Sequence, residues 1–283
     1  MYIAKTCIAC GSENLIKSPA VLSPFIADRV FDWAPVEINQ EWGLDSIKSG
    51  MAYCRVNSIG CEDCSSIFLD LRFGDEEINK LYDNYRGDDY NSLRNMYEPN
   101  YKQKSEVFEK RYPYLSDAEA WIAQHITPKT ILDWGGDSGF NSMFKHTGGE
   151  LYVHDVSGVL LEDGVKSFTK DGGDVIFDLI TCNQVLEHVP NPLELLIEIN
   201  AVMKSGSWLY LDFPFEKIMQ QDLSVTELLK RKRHWHEHIN FFTEDGIEKL
   251  INRAKFDFVD LRTVSASLNP GKDIIFQVLC RKR

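Results

Sequence analysis

No run of about 18 apolar residues occurs in this 283-residue chain, so the sequence offers no membrane-spanning helix. The N-terminus also lacks the basic-then-apolar pattern of a secretory signal. Together these absences predict a cytoplasmic protein. Basic residues are few beside acidic ones, 31 Lys and Arg against 43 Asp and Glu, for a net charge of −12. A polyanion-binding surface needs local positive charge, and the clusters available are Lys230–Arg233 and Arg281–Arg283. They read as a solvated helix end and a solvated tail, so nucleic acid is not an expected partner. Internal repeats and low-complexity segments are missing as well.

What is present is a globular composition. Apolar residues make up 43% and aromatics 12%, enough for one large domain with a sizeable core plus a small module. In a reducing compartment the seven cysteines are thiols or metal ligands rather than disulfides. Five of them fall within residues 1–75, four in two knuckles, Cys7-Ile8-Ala9-Cys10 and Cys61-Glu62-Asp63-Cys64. Two C-x-x-C turns supply the four thiolates of a tetrahedral zinc site, so Cys7, Cys10, Cys61 and Cys64 are read as zinc ligands. Cys54 lies off that pattern and reads as a plain core or strand residue.

Three segments follow from the pattern. Residues 1–75 form a zinc-binding module. Residues 76–125 are helical and aromatic and form a linker or lid, with Tyr82, Tyr85, Tyr90, Tyr97, Tyr101, Phe108, Tyr112 and Tyr114. These tyrosines read mainly as amphipathic packing residues, one or two of which line a cleft. From 126 to 283 strands and helices alternate, which predicts an α/β fold with a doubly wound, mostly parallel seven-stranded sheet. The strands read as Thr130–Asp133, Leu151–Asp155, Phe177–Asn183, Ser207–Phe213, Phe256–Arg262 and Asp273–Cys280. A non-helical loop from Val264 to Gly271 makes the last strand antiparallel, and a shortened crossover before Phe177 predicts a reduced third strand. Asn191 and Thr243 read as helix N-caps, the first followed by Pro192 at the first helical position. The first helix carries the stripe Leu195, Leu196, Ile199, Val202 and Met203.

The chemistry centres on Asp133-Trp134-Gly135-Gly136-Asp137-Ser138-Gly139, a glycine-rich turn directly after an apolar strand. Glycines there let the backbone approach a ligand closely. Asp155 follows 22 residues after Asp133 at the end of the next strand, the place of a ribose-hydroxyl ligand in doubly wound folds. His188 reads as a structural histidine bonded to a loop carbonyl. His234, His236 and His238 lie within five residues, and alternation would set them on one side of an extended segment. That cluster is open to three readings: a metal site with Glu237, a structural role, or a base or substrate-binding role.

These residues, in this order, resemble the class I S-adenosylmethionine-dependent methyltransferases. The glycine turn matches that family's first motif with Asp137 in place of the middle glycine, and Phe177–Val189 and Gly206–Pro214 look like its fourth- and fifth-strand motifs. The resemblance implies S-adenosylmethionine as cofactor, bound by Asp133, Gly135, Gly136, Gly139, Asp155, Asn183 and Gln184. The knuckles, Leu81–Arg86 and His236–Phe242 are further similar to a zinc-containing subgroup that includes nucleotide-sugar C-methyltransferases. That likeness implies a small polar, sugar-like acceptor and a place in cell-surface polysaccharide biosynthesis. It also implies His238 as the acid–base residue with Glu237 holding it, and His236 next in line; the subgroup's tyrosine two positions before the Glu is Trp235 here. No clear acid for the adenine amino group emerges beyond Asp171 and Asp174. Two other classes stay open: a scaffold that retains a degenerate methyltransferase domain, and a nicotinamide-dependent reductase.

Overall fold

The computed structural model describes residues 1–43, 46–101, 111–170, 175–269 and 271–283. Asp171, Asp174 and Phe108 lie outside them. The N-terminal sheet is built from β1 (Leu15–Leu22), β2 (Arg55–Cys61) and β3 (Ile67–Leu69), paired antiparallel in that order. Helix α1 (Pro24–Phe31) follows β1 and buries Phe25, Ile26, Ala27 and Val30. Next come α2 (Asp75–Tyr82), α3 (Asp88–Tyr97) and α4 (Tyr114–Ile122), the helical segment that the aromatic spacing anticipates.

The main sheet contains β4 (Thr130–Trp134), β5 (Glu150–His154), β6 (Val165–Ser167), β7 (Phe177–Asn183) and β8 (Met203–Pro214). Helix α5 (Pro192–Ala201) links the last two, and α6 (Val225–Arg231) lies beyond β8. After them come the two-residue strands β9 (His234–Trp235) and β10 (Asn240–Phe241), then α7 (Glu244–Arg253), β11 (Phe256–Asn269) and β12 (Gly271–Lys282). The order across the seven strands is β6-β5-β4-β7-β8-β12-β11. Pairing is parallel from β6 to β8, and β12 runs antiparallel to both its neighbours. The mostly parallel seven-stranded sheet is therefore as expected.

Period-2 alternation divides the two faces cleanly. Leu132, Trp134, Ile180, Cys182, Leu209, Leu211 and Phe276 join a core with α5, α7 and the cysteine knuckles. Ile131, Leu179, Tyr210, Ile275 and Leu279 point the other way and pack on α4. Both helix caps form: Asn191 Oδ1 accepts from the Glu194 amide at 3.3 Å, and Thr243 Oγ1 accepts from the Gly246 amide at 3.0 Å.

Three expectations change. The loop from Val264 to Gly271 is instead a hairpin, because β11 and β12 stay paired to Asn269 and Gly271. Strand β8 starts four residues earlier than read, at Met203, so Met203 leaves the helical stripe. Lys282 Nζ holds the carbonyls of Asn200 and Met203 at 2.6 and 2.7 Å and fixes that early start. The crossovers after β4 and β5 carry no helix among the described residues. They are short and glycine-rich, and glycine is a poor helix former. The third strand is indeed reduced, to three residues.

The two sheets are not independent. Strand β9 pairs parallel with β1, and β10 pairs antiparallel with β3. The segment between β8 and α7 thus completes the N-terminal sheet, and its connecting turn carries Glu237 and His238. Fully buried Arg72 pins this arrangement by donating to the carbonyls of Pro190, Val189 and Leu69 and to Asn240 Oδ1. Helix α7 is tied to the second knuckle, where Thr243 Oγ1 donates to the Cys64 carbonyl at 2.5 Å and Lys249 to the Asp63 carbonyl at 3.0 Å.

Candidate active site

The carboxyl ends of β4, β5 and β7 open into a cleft of about 620 Å³, and the Glu237–His238 turn closes its far side. Ligands of open α/β sheets bind in this crevice. The glycine turn is shaped by close approach. Gly135 sits at φ +78°, and a Cβ there would meet Val185 Cγ2 at 2.5 Å. A Cβ on Gly136 would meet Asp133 Oδ2 at 2.7 Å. Gly139, also at positive φ, packs behind the turn on Val165 and Val153.

Asp133 is buried beneath this turn, where it accepts from Ser142 Oγ at 2.5 Å and Thr181 Oγ1 at 2.8 Å. Burial raises its carboxyl above the usual range. It orders the turn. Asp155 is fixed by the amides of Asp137 and Ser157, at 2.8 and 2.7 Å, and faces the cleft. Asp137 takes φ +53°, a left-handed conformation that Asp tolerates, so the missing middle glycine does not break the turn. Asn183 and Gln184 also line the cleft. Gln184 donates from Nε2 to Asp212 at 2.8 Å, while the buried Asn183 Oδ1 has no hydrogen-bond partner in the described structure. An orphaned acceptor there fits a ligand that brings its own donor.

The far side of the cleft holds Tyr82, Tyr85, Glu187, His188, Glu237 and His238. Four tyrosines of the aromatic segment line the cleft, Tyr82, Tyr85, Tyr112 and Tyr114, where one or two were expected. Tyr90 and Tyr101 instead pack in the core beneath. His188 Nδ1 donates to the Glu237 carbonyl at 3.0 Å, the loop-carbonyl bond read from the sequence. Burial, with the neighbouring His238 charge, lowers its pKa to about 3, so the ring is neutral. Its plane stands edge-on to His238, with ring centroids 4.7 Å apart.

The structure changes the partner of His238. Its Nδ1 bonds Glu216 Oε1 at 2.7 Å, so Glu216 holds the ring, leaving Nε2 as the free nitrogen. Glu237 instead meets Arg94, which reaches its two oxygens at 3.0 and 3.2 Å. Burial works to raise the Glu237 pKa, but His236 and Arg94 outweigh it and hold it near 2. The geometric reason is the turn: consecutive residues point apart, one toward β8 and the other toward α3. Burial also works against charge on His238, yet the Glu216 bond and the Glu187 carboxyl raise its pKa to about 9. The resting ring is thus a cation rather than the near-neutral imidazole expected.

His236 is not brought to the cleft. It bonds Glu98 through Nε2 and stacks on Phe25 with ring centroids 6.1 Å apart. His234 lies exposed on β9, so the three imidazoles do not share one side. Trp235 is fully buried and donates Nε1 to Ser58 Oγ at 2.8 Å, which makes it a core residue of the small sheet. Sequence reasoning missed Glu216 and Arg94, which come from segments without a motif. It passed over Glu187 inside a quoted motif. The adjacent acid and imidazole after a buried strand were the available signal.

The knuckles bring Cys7, Cys10, Cys61 and Cys64 together, with all four sulfurs within 4.8 Å of one another. The Cys7–Cys64 and Cys10–Cys61 separations are 3.6 and 3.5 Å. A tetrahedral zinc with Zn–S bonds of about 2.3 Å needs S···S edges of about 3.8 Å, so this set fits the ion. Gly11 and Ser65, each following the second cysteine of its knuckle, both take positive φ. Cys54 lies off this site, as read, but it is half-buried at the edge of the core and sits just before β2 rather than in a strand.

A family model described as "Methyltransferase domain" matches residues 108–261, just over half of the chain. A ubiquinone biosynthesis O-methyltransferase of Burkholderia pseudomallei is 20% identical over 117 residues, covering 38% of this chain and 50% of the relative. The chain thus spans half the length of the curated relatives it matches. Among solved structures, a 1,6-didemethyltoxoflavin-N1-methyltransferase of Burkholderia thailandensis, with bound S-adenosylhomocysteine, aligns at TM-score 0.48 and 17% identity. That alignment covers 69% of this chain and 90% of the other. A SAM-dependent methyltransferase of Methanosarcina mazei aligns at TM-score 0.41 and 17% identity, covering 57% and 96%.

Proposed function

Because this chain belongs to the methyltransferase-domain family, we propose that it transfers a methyl group from S-adenosylmethionine to a small polar acceptor. One observation carries this reading. The glycine turn with Asp155 and the turn with His238 open onto the same cleft. The donor, when bound, supplies an electrophilic methyl for an in-line displacement, which demands alignment rather than covalent help from the protein. Gly135, Gly136 and Gly139 give backbone approach, Asp133 orders the turn and Asp155 accepts from the ribose hydroxyls. Asn183 and Gln184 flank the sulfonium end.

His238, oriented by Glu216, is the acid–base residue: its deprotonated form takes the acceptor's proton at Nε2, so turnover should rise with pH toward about 9. Glu237 and His236 act behind it, Glu237 by locking the turn to Arg94 and His236 by its bond to Glu98, which Arg94 also holds. The acceptor is sugar-like, as the resemblance at Leu81–Arg86 and His236–Phe242 implies, and belongs to cell-surface polysaccharide synthesis. Zinc on Cys7, Cys10, Cys61 and Cys64 is structural, because four protein sulfurs leave no open position. Residues 1–75, 76–125 and 126–283 then serve as zinc module, lid and methyltransferase domain, the module being completed by β9 and β10.

His238→Gln tests the assignment. It should leave S-adenosylhomocysteine affinity nearly unchanged and lower turnover at least about a hundredfold. Retention of most activity would refute the role of His238.

A further inference from the structure

We propose that Glu187, His188 and His238 form a second metal site, for a divalent transition-metal ion of the zinc and cobalt type. One ligand atom from each lies within 4.8 Å of the others. The site is built beyond mere proximity. A metal-bound histidine commonly gives its other ring nitrogen to a carboxylate or a backbone carbonyl. Both rings already do so, His238 to Glu216 at 2.7 Å and His188 to the Glu237 carbonyl at 3.0 Å. Each is left with Nε2 free.

The third ligand is the independent sign. Glu187 is 1% exposed, yet neither of its carboxyl oxygens has a hydrogen-bond partner in the described structure. The nearest side-chain nitrogen the structure gives it is Nε2 of the neutral His188 ring, at 3.7 Å, too far for a hydrogen bond. Buried polar groups are nearly always satisfied, so a carboxyl with both oxygens unmet points to a missing cation or ligand. All three residues line the cleft, which leaves open coordination positions for water or an acceptor oxygen. Two imidazoles and one carboxylate suit zinc, cobalt or iron(II) better than magnesium or calcium.

The site goes beyond methyl transfer and does not depend on it. Where both hold, ion and proton compete for the same lone pair on His238 Nε2. The metal-loaded protein then lacks the base assigned above, and the ion acts as a reversible inhibitor.

Full-length protein with zinc already on the cysteines is titrated with cobalt(II) chloride, followed by calorimetry and visible absorption. The expected result is one further equivalent bound, with the weak bands of a nitrogen–oxygen site and no thiolate charge-transfer band. Glu187→Gln and His238→Gln should each weaken cobalt binding at least about tenfold, and Glu216→Gln should weaken it by about tenfold through the His238 ring. Zinc content and thermal midpoint report whether each variant is folded. No binding by the wild type, thiolate bands alone, or unchanged affinity in folded Glu187→Gln would overturn the site. Cobalt binding by a protein that fails to bind S-adenosylhomocysteine would sink the methyltransferase reading and leave this site standing.

Discussion

Arg94→Met, in α3, should cost about 3–5 kcal/mol of stability. Arg94 is 7% exposed and its guanidinium grips both oxygens of Glu237, itself 13% exposed. The same group donates to Tyr90 Oη at 2.7 Å and lies 3.9 Å from the centre of the Tyr101 ring. Methionine keeps much of the apolar stem but leaves the Glu237 carboxylate buried without its cation. Removing one partner of a buried pair is far costlier than removing both. Glu237→Gln should therefore cost less, because Arg94 retains Glu98 at 3.2 Å. The double variant should recover most of the single Arg94→Met loss, since no uncompensated carboxylate remains. Urea unfolding of all four proteins gives the coupling. A single-variant loss below about 1 kcal/mol, or two losses that simply add, would refute this account of how α3 holds the His238 turn.

Other outcomes follow from the same structure. Purified protein should carry one zinc per chain, and chelation should unfold the N-terminal region first, because metal binding there is folding energy. Less than about half an equivalent by elemental analysis, or a Cys7→Ser variant with full zinc, would contradict the quartet. Asp212 is fully buried, and burial raises its carboxyl from the ordinary 3.8 to about 6. Between those values the native carboxyl holds a proton that the unfolded chain has released, so its contribution to stability falls as pH rises. Asp212→Asn should remove on the order of 2–3 kcal/mol of that loss between pH 4 and 6, read as the difference between wild-type and variant unfolding curves.

Much of the main sheet was legible because its strands are buried alternating runs and its helices carry strong caps. Leu132 and Ile131 face opposite cores for a reason visible in the sequence. The cysteine quartet was legible for the same kind of reason: local spacing encodes local geometry. What could not be read was long-range. Nothing near Trp235 says that it enters the N-terminal sheet beside Leu22, or that the turn after it is thereby swung over the cleft. The partners of His238 and Glu237 come from β8's end and from α3, so adjacency in sequence misassigned them. Glu237 stood next to His238 in the chain, but a turn sends neighbours apart.

The central claim is cofactor binding at the glycine turn, and calorimetry with S-adenosylhomocysteine tests it most directly. One molecule should bind per chain, and Asp155→Ala should weaken it roughly ten- to a hundredfold, the loss of a charged acceptor worth about 1.5–3 kcal/mol. No heat of binding in the wild type, or binding of a nicotinamide dinucleotide in its place, would contradict the account.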